Sequence, residues 1–569
     1  MIKDASLVNV YTGEIQEGVD IAVKGSRIAL VGRADHAIGS ETKVADARGL
    51  YACPGFMDAH VHVESSMVTF TEFAKAVLPR GTTCIFADPH EIANVLGIDA
   101  LKMIRMEIRG LPLKVYICVP SCVPASSPEF ETSGAKLGLR EIREALTWPE
   151  TIALGEMMNY PGVLAGDRNV LAKIDAALRA GRVVEGHSDS LLGADLNAYA
   201  AAGISSCHES TRPEDVAERL RLGIYAMMRE GSAWRDLGNC LKALTGLGLD
   251  SRRAIIVSDD RHLNDLLEEG HMDYIVRRAI EEGVDPVEAI QMATLNPAEH
   301  YGVDHLIGGI APGRMADIVL LSDLEEVRVK EVYVNGTLIA RDYKLLLEVK
   351  SRPYPKRARK TVKLPRSLTP SDFVIRVDKR GKAPVHVIQV YELSVLTKHL
   401  IEQVDVFDGE IRADPGRDLA LAAVVERHGG SGRMGRGLVR GFGLKSGAIA
   451  STIAHDSHNL IVLGIRPEDM ALAANEVAGA GGGIAVARDG RVIAKLELPI
   501  AGLITDEPAE AVSKKIKGVE EAWRELGCEM KSPFMTLSLI SLSVLPEIRL
   551  TDRGLIDTVE FRKISIIAE

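Results

Sequence analysis

The chain has 569 residues, 46% of them hydrophobic and 26% charged, a globular composition with enough material for two or three compact units. A net charge of -11 excludes the positive footprint that nucleic acid or an anionic membrane surface requires, and an aromatic content of 4% offers little for stacking bases. Small uncharged or cationic substrates remain compatible with it.

In chain order, residues 1–51 read as short strands with turns; the runs 21–24 and 27–32 flank Gly25-Ser26 as a hairpin. From residue 52 the pattern becomes apolar strand, polar loop, helix, repeated. Strand ends are predicted at His62, Asp88, Cys118 to Ser121, Glu156, His187, His208, Arg229 and Asp259. Eight such strands over about 250 residues predict an α/β fold, a (β/α)8 barrel spanning 52–310, whose chemistry belongs at the C-terminal strand ends. Asp285 and Pro286 open the final barrel helix, and Asn296-Pro297 is expected to stop it.

The segments 313–321 and 332–336 return to β patterning, so 311–350 is expected to join 1–51 in a small β-sandwich domain split by the barrel. The basic, proline-punctuated run 352–360 reads as part of a linker over 351–369 rather than a nucleic-acid patch. Residues 370–569 read as an additional C-terminal α+β domain. Within it, 537–545 alternates like a strand and is too short and serine-rich to span a bilayer. The seven cysteines are scattered through apolar runs, Cys118 and Cys122 forming the one close pair, which suits reduced, buried thiols. No leader pattern marks residues 1–5, and a cytoplasmic protein is expected.

The strand ends carry the chemistry. Residues i and i+2 of a strand point the same way, so His60 and His62 can aim both imidazoles at one point, and neutral imidazole is a common ligand for divalent transition metals. Asp88 and His90 follow on the second strand, Glu156 on the fourth, His187 on the fifth and His208 on the sixth. Arg229 with Ser232 follows on the seventh, and Asp259 with Asp260 on the eighth. Their joint placement at one barrel mouth predicts a metal-dependent hydrolase.

Several stretches narrow this further: Phe56-Met57-Asp58-Ala59-His60-Val61-His62-Val63-Glu64-Ser65-Ser66, Ala87-Asp88-Pro89-His90-Glu91-Ile92-Ala93-Asn94, and Gly155-Glu156-Met157-Met158-Asn159-Tyr160-Pro161-Gly162. With Asp259-Asp260-Arg261-His262 and Met292 to Ala298, they resemble the amidohydrolase superfamily and, within it, the adenine deaminases of bacteria and archaea. The resemblance covers essentially the whole chain.

It implies hydrolysis of adenine to hypoxanthine and ammonia, with His60, His62, Glu156, His187, His208 and Asp259 around one or two divalent ions, manganese first and iron second. Many superfamily members bridge two ions with a carboxylated lysine at the fourth strand, where this chain has Glu156. That residue is therefore either a bridging ligand or the proton donor to the ring nitrogen N1. Asp259 is the candidate proton shuttle, and His208 the candidate polarising group. Asp88 and His90 are expected to orient metal ligands rather than to bind a further ion, Arg229 and Ser232 either to touch the purine or to form a structural ion pair, Asp260 to bind substrate or support the ligands, and His455 and His458 to belong to a lid over the mouth. A homo-oligomer acting on a small molecule is expected, with no nucleic-acid or membrane partner.

Opening of a cyclic amide by the same chemistry, or an inactive barrel kept as a scaffold, are the competing readings. The His-x-Glu and Pro-Cys-x-x-Cys pattern of zinc nucleobase deaminases is absent.

Overall fold

The computed structural model describes residues 1–188, 191–392 and 394–568. Its centre is a run of parallel strands: β1 (Phe56–Val61), β2 (Thr82–Ala87), β3 (Lys114–Val119), β4 (Thr151–Met157), β5 (Val183–Gly186), β6 (Ser206–Cys207), β7 (Tyr225–Arg229) and β8 (Ala254–Val257). Strands β1 to β5 pair in chain order as one sheet, and β6 to β8 as a second. The sheets meet at both edges. At one, the Asp259 N–H donates to the His60 carbonyl at 3.0 Å, and at the other the Ser205 N–H donates to the Val184 carbonyl at 3.0 Å.

Because helices cover these strands, consecutive residues bury on opposite faces, and the strands read as continuous apolar runs. Met57, Ala153, Met227 and Val257 pack with Tyr301 and Ile307 on one face. Their chain neighbours Phe56, Leu154, Met228 and Ile256 join the larger core under the helices. Helices such as Ile98–Ile108, Arg168–Arg179 and Met272–Glu281 follow the strands, so the fold is mixed α/β.

Strands from both sides of this region form one nine-stranded sheet. Tyr51–Pro54 runs antiparallel to Ile318–Asp323 through the pairs Cys53 with Val319 and Pro54 with Ile318. The hairpin at Gly25-Ser26 is present, with Lys24 opposite Arg27. In the run 352–360, Tyr354 and Ala358 are buried, and the Tyr354 hydroxyl donates to Glu107 at 2.6 Å.

After residue 370 a ten-stranded sheet is backed by the helices Pro467–Ala480 and Ala509–Glu525. Its core is continuous with that of the strand-helix region: Trp523, Val512 and Ile548 share one cluster with Val63, Phe73 and Ile104. Hydrogen bonds cross the same seam, from Thr132 to the Asp552 carboxylate at 2.7 and 2.9 Å and from Asn459 to the Thr132 carbonyl at 2.8 Å.

Two local expectations are corrected. Residues 537–545 are not a strand: Pro533–Leu539 is a helix followed by turns. Ser538 and Ser541 donate back to the carbonyls of Met535 and Ser538 three residues earlier, at 2.8 and 3.1 Å, which satisfies helical turns rather than a ladder. Nor does Asn296-Pro297 stop the helix that Asp285 caps through the Val287 and Glu288 N–H groups. That helix ends at Met292, and the pair lies in the first turn of Leu295–His300, where a proline needs no N–H. Among the described residues no helix is long and apolar enough to cross a membrane.

Candidate active site

The strand ends converge. His60 and His62, buried at the end of β1, bring their Nε2 atoms to 3.2 Å of each other. Asp259 follows β8 in a left-handed conformation (φ 57°) that aspartate tolerates, and its Oδ1 lies 3.2 Å from His62 Nε2 and 3.7 Å from His60 Nε2. Glu156 on β4 stands between two sets of rings. Its Oε1 is 3.6 Å from His62 Nε2 and 3.2 Å from His90 Nδ1, and its Oε2 is 2.5 Å from His187 Nδ1 and 3.2 Å from His208 Nε2. The His208 ring stacks on His60 with centroids 3.9 Å apart. All six residues expected to surround an ion are thus brought together.

A divalent cation fits this set. The His62 Nδ1 faces the Asp88 backbone carbonyl at 2.9 Å, an acceptor only, so this nitrogen carries the proton and, in the neutral ring that a metal ion binds, Nε2 keeps the lone pair. The acceptor facing His60 Nδ1, Glu185 Oε2 at 3.4 Å, favours the same tautomer in a neutral His60 ring. Two lone pairs and a carboxylate oxygen aimed at one point repel one another unless a cation lies among them, and the nitrogen and oxygen donors suit a divalent transition ion. His60, His208 and Asp259 form one such grouping, and Glu156, His187 and His208 another.

Electrostatics keep the carboxylates ionised. Burial pushes the Glu156 carboxyl up, but the His187, His208 and His90 imidazoles outweigh it and hold the group well below its ordinary value. For Asp259, burial is likewise outweighed, by His62 and the Arg229 guanidinium. Burial and the neighbouring His60 lower His208, favouring its neutral form.

The remaining expectations divide. The Asp88 side chain does not reach a histidine ligand by hydrogen bond; it accepts the Glu156 N–H at 2.9 Å, while its backbone carbonyl orients His62. Gly155 makes room for this, since a Cβ there would sit 2.1 Å from Asp88 Oδ2. His90 and Asp260 line the pocket, with Asp260 accepting from Ser65 at 2.5 Å. Arg229 also lines it and is ion-paired to Glu209, Asp236 and Asp259.

Ser232 is a correction: its hydroxyl is turned to Asp265 and accepts the His262 N–H at 2.8 Å, pinning a loop outside the pocket. Of the two lid histidines, His455 lines the pocket and His458 does not. A grouping of Glu91, His455 and His458 lies alongside, but the Ala454 N–H donates to His458 Nδ1 at 3.2 Å. The neutral ring then carries its proton on Nε2, which leaves no lone pair for an ion.

Sequence reasoning missed Glu209, Glu185 and the apolar wall. Glu209 lines the pocket and reaches His208 Nε2 at 3.4 Å; a carboxylate directly after a strand-end histidine was a usable signal. Glu185, fully buried inside β5, accepts from Cys118 at 3.0 Å and from the Tyr301 hydroxyl beneath His60. Met158, Tyr160 and Trp234, with Val395, Leu539 and Leu545 from the C-terminal unit, close a cavity of about 230 Å³, below the roughly 300–1,000 Å³ of drug-sized ligand sites.

Comparison with known proteins agrees with this geometry. Residues 51–339 match the amidohydrolase family, and residues 394–562 match the adenine deaminase C-terminal domain. The chain is 54% identical to the adenine deaminase of Moorella thermoacetica, 49% to that of Rubrobacter xylanophilus and 45% to that of Clostridium botulinum strain Loch Maree. In each case the match covers 100% of this chain and 95% of the relative. With two family models in tandem and identity sustained over the full length, the chain belongs to the adenine deaminase family of amidohydrolases.

Proposed function

We infer that this protein deaminates adenine hydrolytically: water adds at C6, the exocyclic amine leaves as ammonia, and hypoxanthine remains. The full-length identity to adenine deaminases carries the reading, and the small cavity over a histidine and carboxylate floor is consistent with it. Amidohydrolases are metal-dependent. A divalent ion held by His60, His62, Glu156, His187, His208 and Asp259, manganese first and iron second, would supply the Lewis acidity that makes water nucleophilic at neutral pH. One or two ions fit this set, since Glu156 alone offers a separate oxygen to each set of rings.

In this reading Asp259 accepts the proton of the attacking water and delivers it to the leaving amine, while the second proton of the water ends on N1 of hypoxanthine. Arg229, on the far oxygen of Asp259 at 3.1 Å, keeps that carboxylate aimed at the floor. Glu156 acts as a ligand rather than as the N1 donor, because both of its oxygens face imidazoles and its ionised form is favoured. His208, neutral and stacked on His60, polarises the reacting centre. Glu185 holds the His60 ring from behind.

The two parallel sheets, joined at both edges, act as a closed (β/α)8 barrel over 52–310. A β-sandwich of 1–51 with 311–350 and an α+β unit of 370–569 complete the domain layout, joined by 351–369. The protein works as a cytoplasmic homo-oligomer without nucleic-acid or membrane partners. The decisive experiment incubates metal-reconstituted protein with adenine, adenosine and a cyclic amide, and assays ammonia. Release from adenine alone is expected; release only from the cyclic amide, or none, overturns the reading.

A further inference from the structure

Arg549 is 1% exposed, and among the described residues no carboxylate pairs with it. Burial alone pulls its guanidinium down to about 9. Its donors go instead to backbone carbonyls: Nε to Leu545 at 2.9 Å, Nη1 to Leu539 at 2.8 Å, and Nη2 to Val395 at 2.5 Å and Pro546 at 2.9 Å. Each of the four residues so gathered also lines the pocket. They come from two segments far apart in the chain, 395 and 539–546, and one planar fork with five N–H donors joins them at fixed spacing.

The assembled surface is apolar. Leu542 and Val544 complete it, and Leu539 packs with Met535 and with Ala233 of the loop after β7, sealing it to the strand-helix region. Two further bonds register it over the floor: Ser543 donates to Ser126 at 2.7 Å, and Ser541 to the carbonyl of the pocket residue His455 at 3.1 Å. The pocket therefore has a charged floor from one unit and, from the other, an apolar cover over 395 and 539–546 beside the polar His455 and Asp456. A flat heteroaromatic ring matches both, with polar edges toward the carboxylates and its face against the leucines. A sugar on the ring would press hydroxyls against side chains that cannot hydrogen-bond them.

We propose that the C-terminal unit supplies the specificity-determining roof of the active site, selecting a flat, uncharged heteroaromatic base over its nucleoside, with Arg549 as the positioning residue that holds this roof. The inference rests on reading the pocket as a purine-base site.

The test compares Arg549→Met, Arg549→Lys and Leu542→Ala with wild-type holoenzyme, all at matched metal content. Arg549→Met and Leu542→Ala are expected to raise KM for adenine about tenfold, with kcat held within about threefold. They should also narrow the preference for adenine over adenosine. Arg549→Lys, which keeps the charge but not the fork, should fall between Arg549→Met and wild type. A merely structural loss would lower kcat through the active fraction and leave KM alone. Amide exchange over residues 537–546 gives a substrate-free readout, expected to be faster in Arg549→Met.

If Arg549→Met does not fold, Leu542→Ala decides by KM and by the adenine to adenosine ratio. Wild-type KM and ratio in the folded variants overturn the roof, as does unchanged exchange in Arg549→Met. Wild-type protein that releases no ammonia from adenine overturns the functional reading instead, and the exchange result still judges the role of Arg549.

Discussion

At the floor of the pocket, imidazoles and carboxylates from the ends of β1, β4, β5, β6 and β8 form a chain of contacts, each residue within 3.7 Å of at least one other. At its roof, side chains from 395 and 539–546 are apolar, and the polar work is done behind them by Arg549 on four carbonyls. The same device recurs over the His455 to Asn459 segment. There the buried Arg427 donates to the His458 carbonyl, to the Ala501 carbonyl at 2.9 Å and to Thr361 at 3.1 Å. The floor concentrates charge on rigid strands, where geometry must be held to tenths of an ångström. The roof is built from irregular backbone whose carbonyls need donors once water is excluded, and a buried arginine supplies several at once.

The contrast breaks first if the floor is not the reacting side. Asp259→Asn should lower kcat for adenine by about 10³–10⁴-fold while most of the metal is retained, measured by ammonia release and by metal analysis of the same sample. A near-wild-type rate removes Asp259 from proton transfer. Chelation should abolish turnover and manganese should restore it; activity that persists in metal-free protein would mean that the floor works without an ion.

Smaller effects sharpen the boundary between the two sides. Glu185→Gln weakens the partner of His60 Nδ1 and should reduce metal affinity about 10–100-fold without changing the pocket lining, read by competition with a metal indicator. His455→Ala, on the C-terminal side, should raise KM by only about threefold and leave the metal content intact, because the residue touches the cavity but not the clustered ligands. Unchanged KM and kcat would remove His455 from the cover.

The last effect is on stability and concerns the seam itself. Burial, with Asp456 nearby, raises the Glu131 carboxyl to about 7, against the lowering bonds from Ser126 and Ser457. The folded state therefore keeps a proton that the unfolded chain has already lost above its ordinary value. The resulting penalty grows as pH rises from about 4.5 to about 7, reaching at most about 3 kcal/mol. Glu131→Gln removes that titration, so its Tm relative to the parent should improve between pH 5 and pH 8. A difference that does not vary with pH would place the Glu131 titration outside folding.

Much of the floor was legible because its signals are local. His60 and His62 sit two residues apart at a strand end, and His187 and His208 each stand directly after a short strand, so position along a strand already fixes which way each can point. Glu185 was not legible: it interrupts β5 as a lone acid, and its partner Tyr301 lies 116 residues away. Ser232 reads like its pocket-lining neighbour Arg229, yet the loop turn hands its hydroxyl to Asp265. The run 537–545 fits strand and helix equally as a short apolar segment, and what decides it is burial on every side together with serine hydroxyls turned back on their own carbonyls.

By itself, then, the sequence determined the order of the parallel strands from β1 to β8, the ring of histidines and carboxylates at their ends, and the membership of the chain in its family. These follow from periodicity and short motifs, which depend on neighbours in the chain. Only the tertiary structure decided which oxygen of Glu156 meets which ring, that Asp88 supports the Glu156 backbone, and that leucines some 300 residues beyond the last ligand cover the pocket. Those choices are set by which groups are desolvated together, and desolvation is a property of the packed molecule rather than of any segment.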